Sequence, residues 1–289
     1  MSFEIITDSS CNLPDDLIDK YMLHVLSLVF RVNDKEYYSY VKGEKTELAQ
    51  FYAMMRRKEH ITTSLINPEV CRDMAIKLLD DGKDILYIGF SSALSATYQA
   101  VHITLEELKS SYPDRKILSV DTLGASLGQG LLVHHAVQLR NEGKTIDEIY
   151  QWLILNRFHL CHWFTVDDLF FLKRGGRISA TTAIVGSMLG IKPILHMDNE
   201  GRLINVSKVR GRQKSLDALV ERMAKTAINP EEQVVFISHG DCIDDAKYVE
   251  KQIRDKLKVK DVLINYVDPV IGAHSGPGTI ALFFLGTER

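Results

Sequence analysis

The stretch Ile85-Leu86-Tyr87-Ile88-Gly89-Phe90-Ser91-Ser92-Ala93-Leu94-Ser95-Ala96-Thr97 joins a run of apolar residues to a turn that is rich in serine. A short apolar run bounded by turn residues is typical of a buried strand, and the residues after the turn have a helical pattern to about Ser110. The stretch therefore predicts a strand, a polar turn and a helix. Recurrence of this order along the first half indicates α/β layering around a mainly parallel sheet with flanking helices.

Two further units of the same kind flank this stretch. The strand predicted at Phe3–Ile6 precedes a polar turn and a helix from Pro14, and the strand predicted at Lys116–Val120 precedes another helix. Between them, Leu26–Val32 and Lys35–Tyr38 have the composition of a strand pair joined through a short turn.

The second half has a different pattern. Strands predicted at Lys192–Met197 and Leu203–Val209 flank the turn residues 198–201, which indicates a hairpin. A helix of small residues is predicted at Thr182–Leu189. We therefore expect an N-terminal α/β domain over residues 1–160 and a C-terminal α+β domain with a mixed or antiparallel sheet over residues 161–289. No flexible linker separates them, so the two should pack closely.

Composition excludes some classes of function. The chain has 289 residues, of which 45% are hydrophobic and 25% charged, and its net charge is -3. A protein that binds nucleic acid usually has a strong basic excess, so nucleic acid is not an expected partner. The four cysteines lie far apart in sequence, which favours neither a disulfide framework nor a zinc site. With no visible signal peptide, these features predict a cytoplasmic protein.

Hydroxyl side chains recur where predicted strands meet predicted helices. Thr63 and Ser64 precede one helix, and Ser92 and Ser95 lie at the start of another. Ligands of parallel sheets bind at such strand ends, where helix N-termini offer free N–H groups to an anion. An anionic ligand is the simplest inference. The alternative is that each hydroxyl only caps its own helix.

The stretch Phe164–Ser179 ends in two arginines that bracket a Gly-Gly pair. Glycine allows close backbone approach, and the guanidinium groups of Arg174 and Arg177 can bind an anion with two hydrogen bonds each. This pattern indicates a second part of an anion site. A surface turn with two solvated arginines is the alternative.

The chain resembles the DegV family of bacterial fatty-acid-binding proteins, and the match is collinear from residue 5 to near the C-terminus. Several separate motifs carry the resemblance: Thr7-Asp8-Ser9-Ser10-Cys11-Asn12-Leu13-Pro14, Thr63-Ser64, Ser91-Ser92-Ala93-Leu94-Ser95-Ala96-Thr97-Tyr98, residues 166–179, Ile191-Lys192-Pro193-Ile194-Leu195 and Gly276-Pro277-Gly278.

The resemblance implies that the carboxylate of a fatty acid lies at the domain interface, while its tail enters the N-terminal domain. By motif position, the residues expected at the head group are Thr63, Ser92, Arg174 and His274, with Ser64, Ser95 and Arg177 in support. No cofactor is implied other than the bound fatty acid.

The resemblance also implies a role as the FakB-type subunit of fatty acid kinase. The expected chain is then a lipid carrier and not an enzyme, and a separate kinase chain supplies ATP, metal and catalysis. The resemblance also allows an acyltransferase as a further partner and transient contact with a membrane.

Two other functions stay open at the level of sequence. One is a hydrolase of acyl esters or acyl phosphates that uses Ser92 with His274 as base. Neither a Gly-x-Ser-x-Gly elbow nor a Walker loop supports autonomous hydrolase or kinase chemistry. The other is a binding module for a different small anion, such as a phosphorylated metabolite. The segment His159–His162 contains possible metal ligands, but alternation along a strand sends its side chains to opposite faces, which favours a core strand.

Overall fold

The computed structural model describes residues 2–33, 35–44, 46–179 and 190–289. The helix predicted at Thr182–Leu189 lies outside these residues. The described strands are β1 (Phe3–Asp8), β2 (His24–Leu26), β3 (Val29–Val32), β4 (Lys35–Tyr38), β5 (Ile61–Ser64), β6 (Asp84–Gly89), β7 (Ile117–Asp121), β8 (Leu160–Thr165), β9 (Ile191–Met197), β10 (Leu203–Arg210), β11 (Val234–His239), β12 (Asp261–Tyr266) and β13 (Ile280–Leu285).

The described α-helices are α1 (Asp15–Lys20), α2 (Leu48–Arg56), α3 (Pro68–Asp80), α4 (Thr97–Leu108), α5 (Leu127–Asn141), α6 (Ile146–Asn156), α7 (Leu169–Arg174), α8 (Arg212–Thr226), α9 (Ile243–Leu257) and α10 (Pro269–Ser275). Of these helices, none combines the length and the apolar character needed to cross a bilayer.

The first sheet is parallel throughout, with strand order β2-β1-β6-β7. Because side chains alternate along a strand, neighbouring residues enter different cores. Ile5 and Leu86 pack with α1, α5 and α6, whereas Ile6 and Ile85 pack with α3 and α4. This arrangement confirms the predicted parallel sheet with helices on both faces.

The strand predicted at Leu26–Val32 is in fact divided between two sheets. Leu26 ends β2 in the parallel sheet, and Val29 begins β3 in a three-stranded antiparallel sheet of order β4-β3-β5. Between them, the backbone N–H of Leu28 donates to Oγ of Ser9 at 3.0 Å, which holds the chain where it changes sheets. In the smaller sheet Phe30 lies opposite Thr63 of β5.

The C-terminal sheet is mixed, as predicted, with strand order β10-β9-β8-β13-β11-β12. Strands β11 and β12 run parallel, and the other neighbours run antiparallel. The predicted hairpin is confirmed as β9 and β10, where the carboxylate of Asp198 accepts the N–H groups of Glu200 and Arg202. One face of this sheet packs against α8 and α9.

Helix α5 lies between the two larger sheets. Leu131 of this helix belongs to one apolar core that includes Ile5 of the parallel sheet and Phe283 of the mixed sheet. Its glycines allow this close packing. A side-chain carbon at Gly128 would lie 2.2 Å from Nε2 of His162, and one at Gly130 would lie 2.5 Å from the carbonyl oxygen of Cys11. The two halves therefore share a continuous core.

Candidate functional site

A cavity of about 320 Å³ lies between the two halves of the chain, on the face of the mixed sheet that is turned toward α5. Its walls are mainly apolar. Phe90 and Leu94 contribute from the first half, and Phe164, Val270 and Phe283 contribute from the second. The apolar lining thus comes from both domains, whereas the resemblance alone implies a tail enclosed by residues 1–160.

One part of the cavity wall is polar and joins two distant parts of the sequence. Oγ1 of Thr63, near the end of β5, lies 2.9 Å from Nε2 of His274 on α10. Helix α10 begins at this place because the carboxylate of Asp268 accepts the N–H groups of Val270 and Ile271, and Pro269 occupies the first turn. The strand and the capped helix together position the hydroxyl and the imidazole.

His274 is a neutral hydrogen-bonding group at physiological pH. Burial first, and the nearby charges of Arg177 and Arg174 to a smaller extent, lower the pKa of its imidazole to about 4. A neutral imidazole carries one N–H, so Nε2 either donates to Thr63 or accepts from it, according to the tautomer. When Nε2 donates, the hydroxyl of Thr63 is free to donate to a ligand; when Nε2 accepts, the remaining N–H is on Nδ1, which lies against Gly175.

The backbone of Gly175 packs directly against the imidazole of His274. A side-chain carbon at this position would lie 2.2 Å from Nδ1 of His274. Gly175 follows the last residue of α7 and has a right-handed backbone with φ of -74°, so its absence of a side chain serves the packing and not the turn. The Gly-Gly pair predicted to allow close approach therefore includes one glycine that does so.

Arg177 ties two segments of the site together. Its Nε and Nη2 donate to the carbonyl oxygen of Leu94 at 3.2 and 3.0 Å, and Nη1 donates to the carbonyl of Gly175. The guanidinium thereby links the serine-rich turn to Gly175, which packs against the imidazole of His274. Burial lowers its pKa from the usual range, but a guanidinium stays charged, so the cavity wall carries a positive charge.

Two further predicted residues line the same cavity. Ser64 is exposed at the end of β5. Oγ of Ser95 donates to Oγ1 of Thr97 at 3.0 Å and accepts its N–H, which is a capping arrangement at the start of α4. The alternative that a hydroxyl caps its own helix thus holds for Ser95, although it also faces the cavity.

The structure does not bring Ser92 and Arg174 into the cavity wall. Ser92 is exposed, and its N–H donates to the carboxylate of Asp121 at 3.3 Å. Arg174 is exposed on α7, with its guanidinium carbon 5.2 Å from the centre of the Phe171 ring. Because the imidazole of His274 pairs with Thr63 and not with Ser92, the geometry lacks the nucleophile and base of the hydrolase hypothesis.

Sequence patterns do not reveal α10, because residues 272–278 are rich in glycine, which is unfavourable inside a helix. Val270, Ile271 and Ser275 of this helix all line the cavity. The signal that could have revealed it is Asp268-Pro269, an N-cap residue followed by proline in the first turn.

The metal interpretation of residues 159–162 finds no support in the geometry. Cys161 packs in the core beneath α8 and α9, whereas His162 faces the cavity, as strand alternation predicts. Among the residues that the structure describes, no group of three histidine, cysteine or acidic side chains is placed to bind a metal ion.

Histidine side chains elsewhere in the fold are neutral for the same reason as His274. Burial is the largest effect on each. It lowers the pKa to about 4 in His134, His135, His196 and His239, and lowers it well below the usual value in His162.

Fold and site together define an α/β protein with a parallel and a mixed sheet, and with an apolar cavity that carries hydroxyl and imidazole groups on one wall. The chain belongs to the DegV family: the family model described as "Uncharacterised protein, DegV family" matches residues 2–287. A DegV domain-containing protein of Clostridium perfringens is 46% identical over 287 residues, which are 99% of this chain and 98% of that protein.

Solved structures of DegV proteins have the same fold. A DegV family protein from Thermus thermophilus, described by its fatty acid binding, superposes with a TM-score of 0.89 at 27% identity and covers 99% of this chain and 100% of its own. DegV from Bacillus subtilis, described as a fatty acid binding protein, gives a TM-score of 0.84 at 25% identity, with 99% and 100% covered.

Proposed function

We propose that this chain binds a long-chain fatty acid in the interdomain cavity, with the carboxylate at Thr63 and His274. The observation that carries the proposal is the cavity itself, whose walls are mainly apolar but include Thr63, Ser64, Ser95, Arg177 and His274. The fatty acid binding named for the solved relatives supports it.

The apolar walls supply most of the affinity in this proposal. Each buried methylene contributes about 0.8 kcal/mol, so a chain of about sixteen carbons gains on the order of 10 kcal/mol before ordering costs. The polar residues then orient the head group. Hydrogen bonds to a carboxylate are stronger than those to a neutral oxygen, which selects an acid over an alcohol or ester.

The residues expected at the head group divide into two sets. Thr63, Ser64 and His274 offer hydrogen bonds from the wall, and Arg177 contributes its charge while it holds the Leu94 carbonyl. Ser92 and Arg174 lie outside the cavity wall. We propose that they act at the protein surface beside the cavity and do not bind the carboxylate directly.

We further propose that the chain presents the carboxylate to a partner kinase, which forms the acyl phosphate. The exposed positions of Ser64 and Leu65 at the cavity support this role, because the carboxylate must be reached from outside. Arg174 is exposed and lies three residues before Arg177 in the sequence. Its guanidinium can balance the charge that phosphorylation adds. In this proposal the chain has no catalysis of its own, and an acyltransferase receives the product.

Native mass spectrometry of the protein purified from cells tests the binding proposal. A retained mass of a long-chain fatty acid is expected, and a delipidated sample should bind that acid much more tightly than the matching alcohol. A retained phosphorylated metabolite, or equal affinity for acid and alcohol, would contradict the proposal. Turnover of an acyl ester by the pure chain would instead favour the hydrolase.

A further inference from the structure

Ser275, the residue that follows His274 on α10, has a buried hydroxyl that bonds to none of the residues that the structure describes. Its side chain is 5% exposed, its Oγ has no hydrogen bond to any described residue, and it lines the cavity. A buried polar atom without a hydrogen bond is uncommon in a native protein, because its contacts with water are lost without replacement. Because Ser275 belongs to the cavity wall, a polar group of a ligand can supply the missing partner after a rotation of its side chain.

Helix geometry places this hydroxyl beside the polar groups of the site. Val270 and His274 form one ridge of α10, and Ile271 and Ser275 form the adjacent ridge, since residues four apart lie above one another. His274 and Ser275 differ by only about 1.5 Å in height along the helix axis. Oγ1 of Thr279 donates to the carbonyl of Ser275 at 3.1 Å, which fixes the end of the helix.

Two of the predicted residues already use their donors within the protein. A carboxylate accepts up to about four hydrogen bonds, yet Arg177 donates to two backbone carbonyls and Ser95 donates to Thr97. The hydroxyl of Ser275 has no such commitment among the described residues.

We infer that Ser275 is a further head-group residue, whose hydroxyl donates to the ligand carboxylate from the ridge adjacent to His274. The inference rests on the proposed fatty acid binding and adds a residue that the sequence interpretation did not assign. The ligand carboxylate then gives this donor the partner that no described residue supplies.

The test uses the delipidated full-length chain, with hexadecanoic acid and hexadecanol as probes in equilibrium dialysis. Ser275→Ala should weaken binding of the acid about ten- to a hundred-fold, the scale of a hydrogen bond to a charged group, and change binding of the alcohol much less. Ser275→Thr retains the hydroxyl and should retain acid binding. Ser275→Cys, with a weak donor of similar size, should behave like Ser275→Ala.

Ser10→Ala is the matched control. Ser10 is a fully buried serine, 0% exposed, but it does not line the cavity. This variant should bind acid and alcohol like the parent. Urea unfolding of the empty proteins shows whether each variant folds, and the threonine and cysteine variants keep the test valid if alanine impairs folding.

The outcomes separate the inference from the proposal beneath it. If the parent binds the acid tightly and Ser275→Ala binds it equally well, the inference is wrong and the proposed function stands. Equal losses for acid and alcohol would also overturn it, because the hydroxyl would then serve packing. If the parent does not bind the acid at all, both fail.

Discussion

Replacement of Gly175 by alanine should displace the imidazole of His274 and weaken fatty acid binding. The backbone at Gly175 accepts any L residue, but the new side-chain carbon would lie 2.2 Å from Nδ1. Ordinary contact begins at 3.4 Å, so the ring has to withdraw by about 1.2 Å, the difference between these two distances. Its bond to Thr63 is 2.9 Å long, and a hydrogen bond does not survive stretching on that scale.

We expect a loss of about 1–2 kcal/mol, or roughly five- to thirty-fold in Kd, since a net hydrogen bond contributes about 1 kcal/mol and the displaced ring also disturbs the head group. Isothermal titration of delipidated protein with a long-chain acid measures it. The control is Gly175→Ala in a His274→Ala background, where the clash is absent and the alanine should have little further effect. Parental affinity in Gly175→Ala, or an undiminished loss in the double variant, would refute the reasoning.

Three other outcomes are expected. Thr63→Val keeps the side-chain shape without the hydroxyl and should lose about 1.5–3 kcal/mol of acid binding by titration, and parental affinity would limit Thr63 to a structural role. Arg174→Ala should lower the rate of acyl-phosphate formation, measured with the proposed partner kinase and ATP, more than it lowers affinity for the acid, because the guanidinium lies outside the cavity wall. Equal effects on the rate and on the affinity would contradict this division. Stability should fall as the pH drops from about 6.5 to 4, because the six buried histidines, His274 among them, accept protons in the unfolded chain before they do in the fold. Each contributes a slope of up to about 1.4 kcal/mol per pH unit, and a urea midpoint that does not fall over this range would oppose the assignment.

The buried carboxyls act in the opposite direction at low pH. Burial raises the pKa of Asp8 and of Asp268, so the fold holds their protons at a pH where the unfolded chain has released them. Protonation of these two groups therefore favours the fold as the pH drops. The measured slope should be smaller than the histidines alone would produce.

Sequence patterns predicted three strands of the parallel sheet, β1, β6 and β7, because each is a local apolar run that ends in a polar turn. They failed at Leu26–Val32, where one continuous run serves two sheets. The division depends on β5, which pairs with β3 from about thirty residues away, and on the contact of Leu28 with Ser9. Periodicity within a run contains no information on such partners.

Prediction of the site was limited by the direction of side chains in turns. Ser92 and Ser95 are equivalent as hydroxyls, but the N–H of Ser92 is held by Asp121, and only Ser95 lines the cavity. Arg174 is the last residue of α7, and its side chain is exposed. The chain reverses direction at Gly176, where φ is +72°, so the side chain of Arg177 lines the cavity. Those differences arise from backbone turns that composition does not specify.

The position of α5 has a consequence for how this molecule can open. Since one helix completes the core of both sheets, the halves cannot separate like hinged jaws without exposing Leu131 and its apolar neighbours to water. We therefore expect the proposed fatty acid to enter and leave by small rearrangements at the cavity wall. Because the two halves share this core, we also expect them to unfold together in one transition.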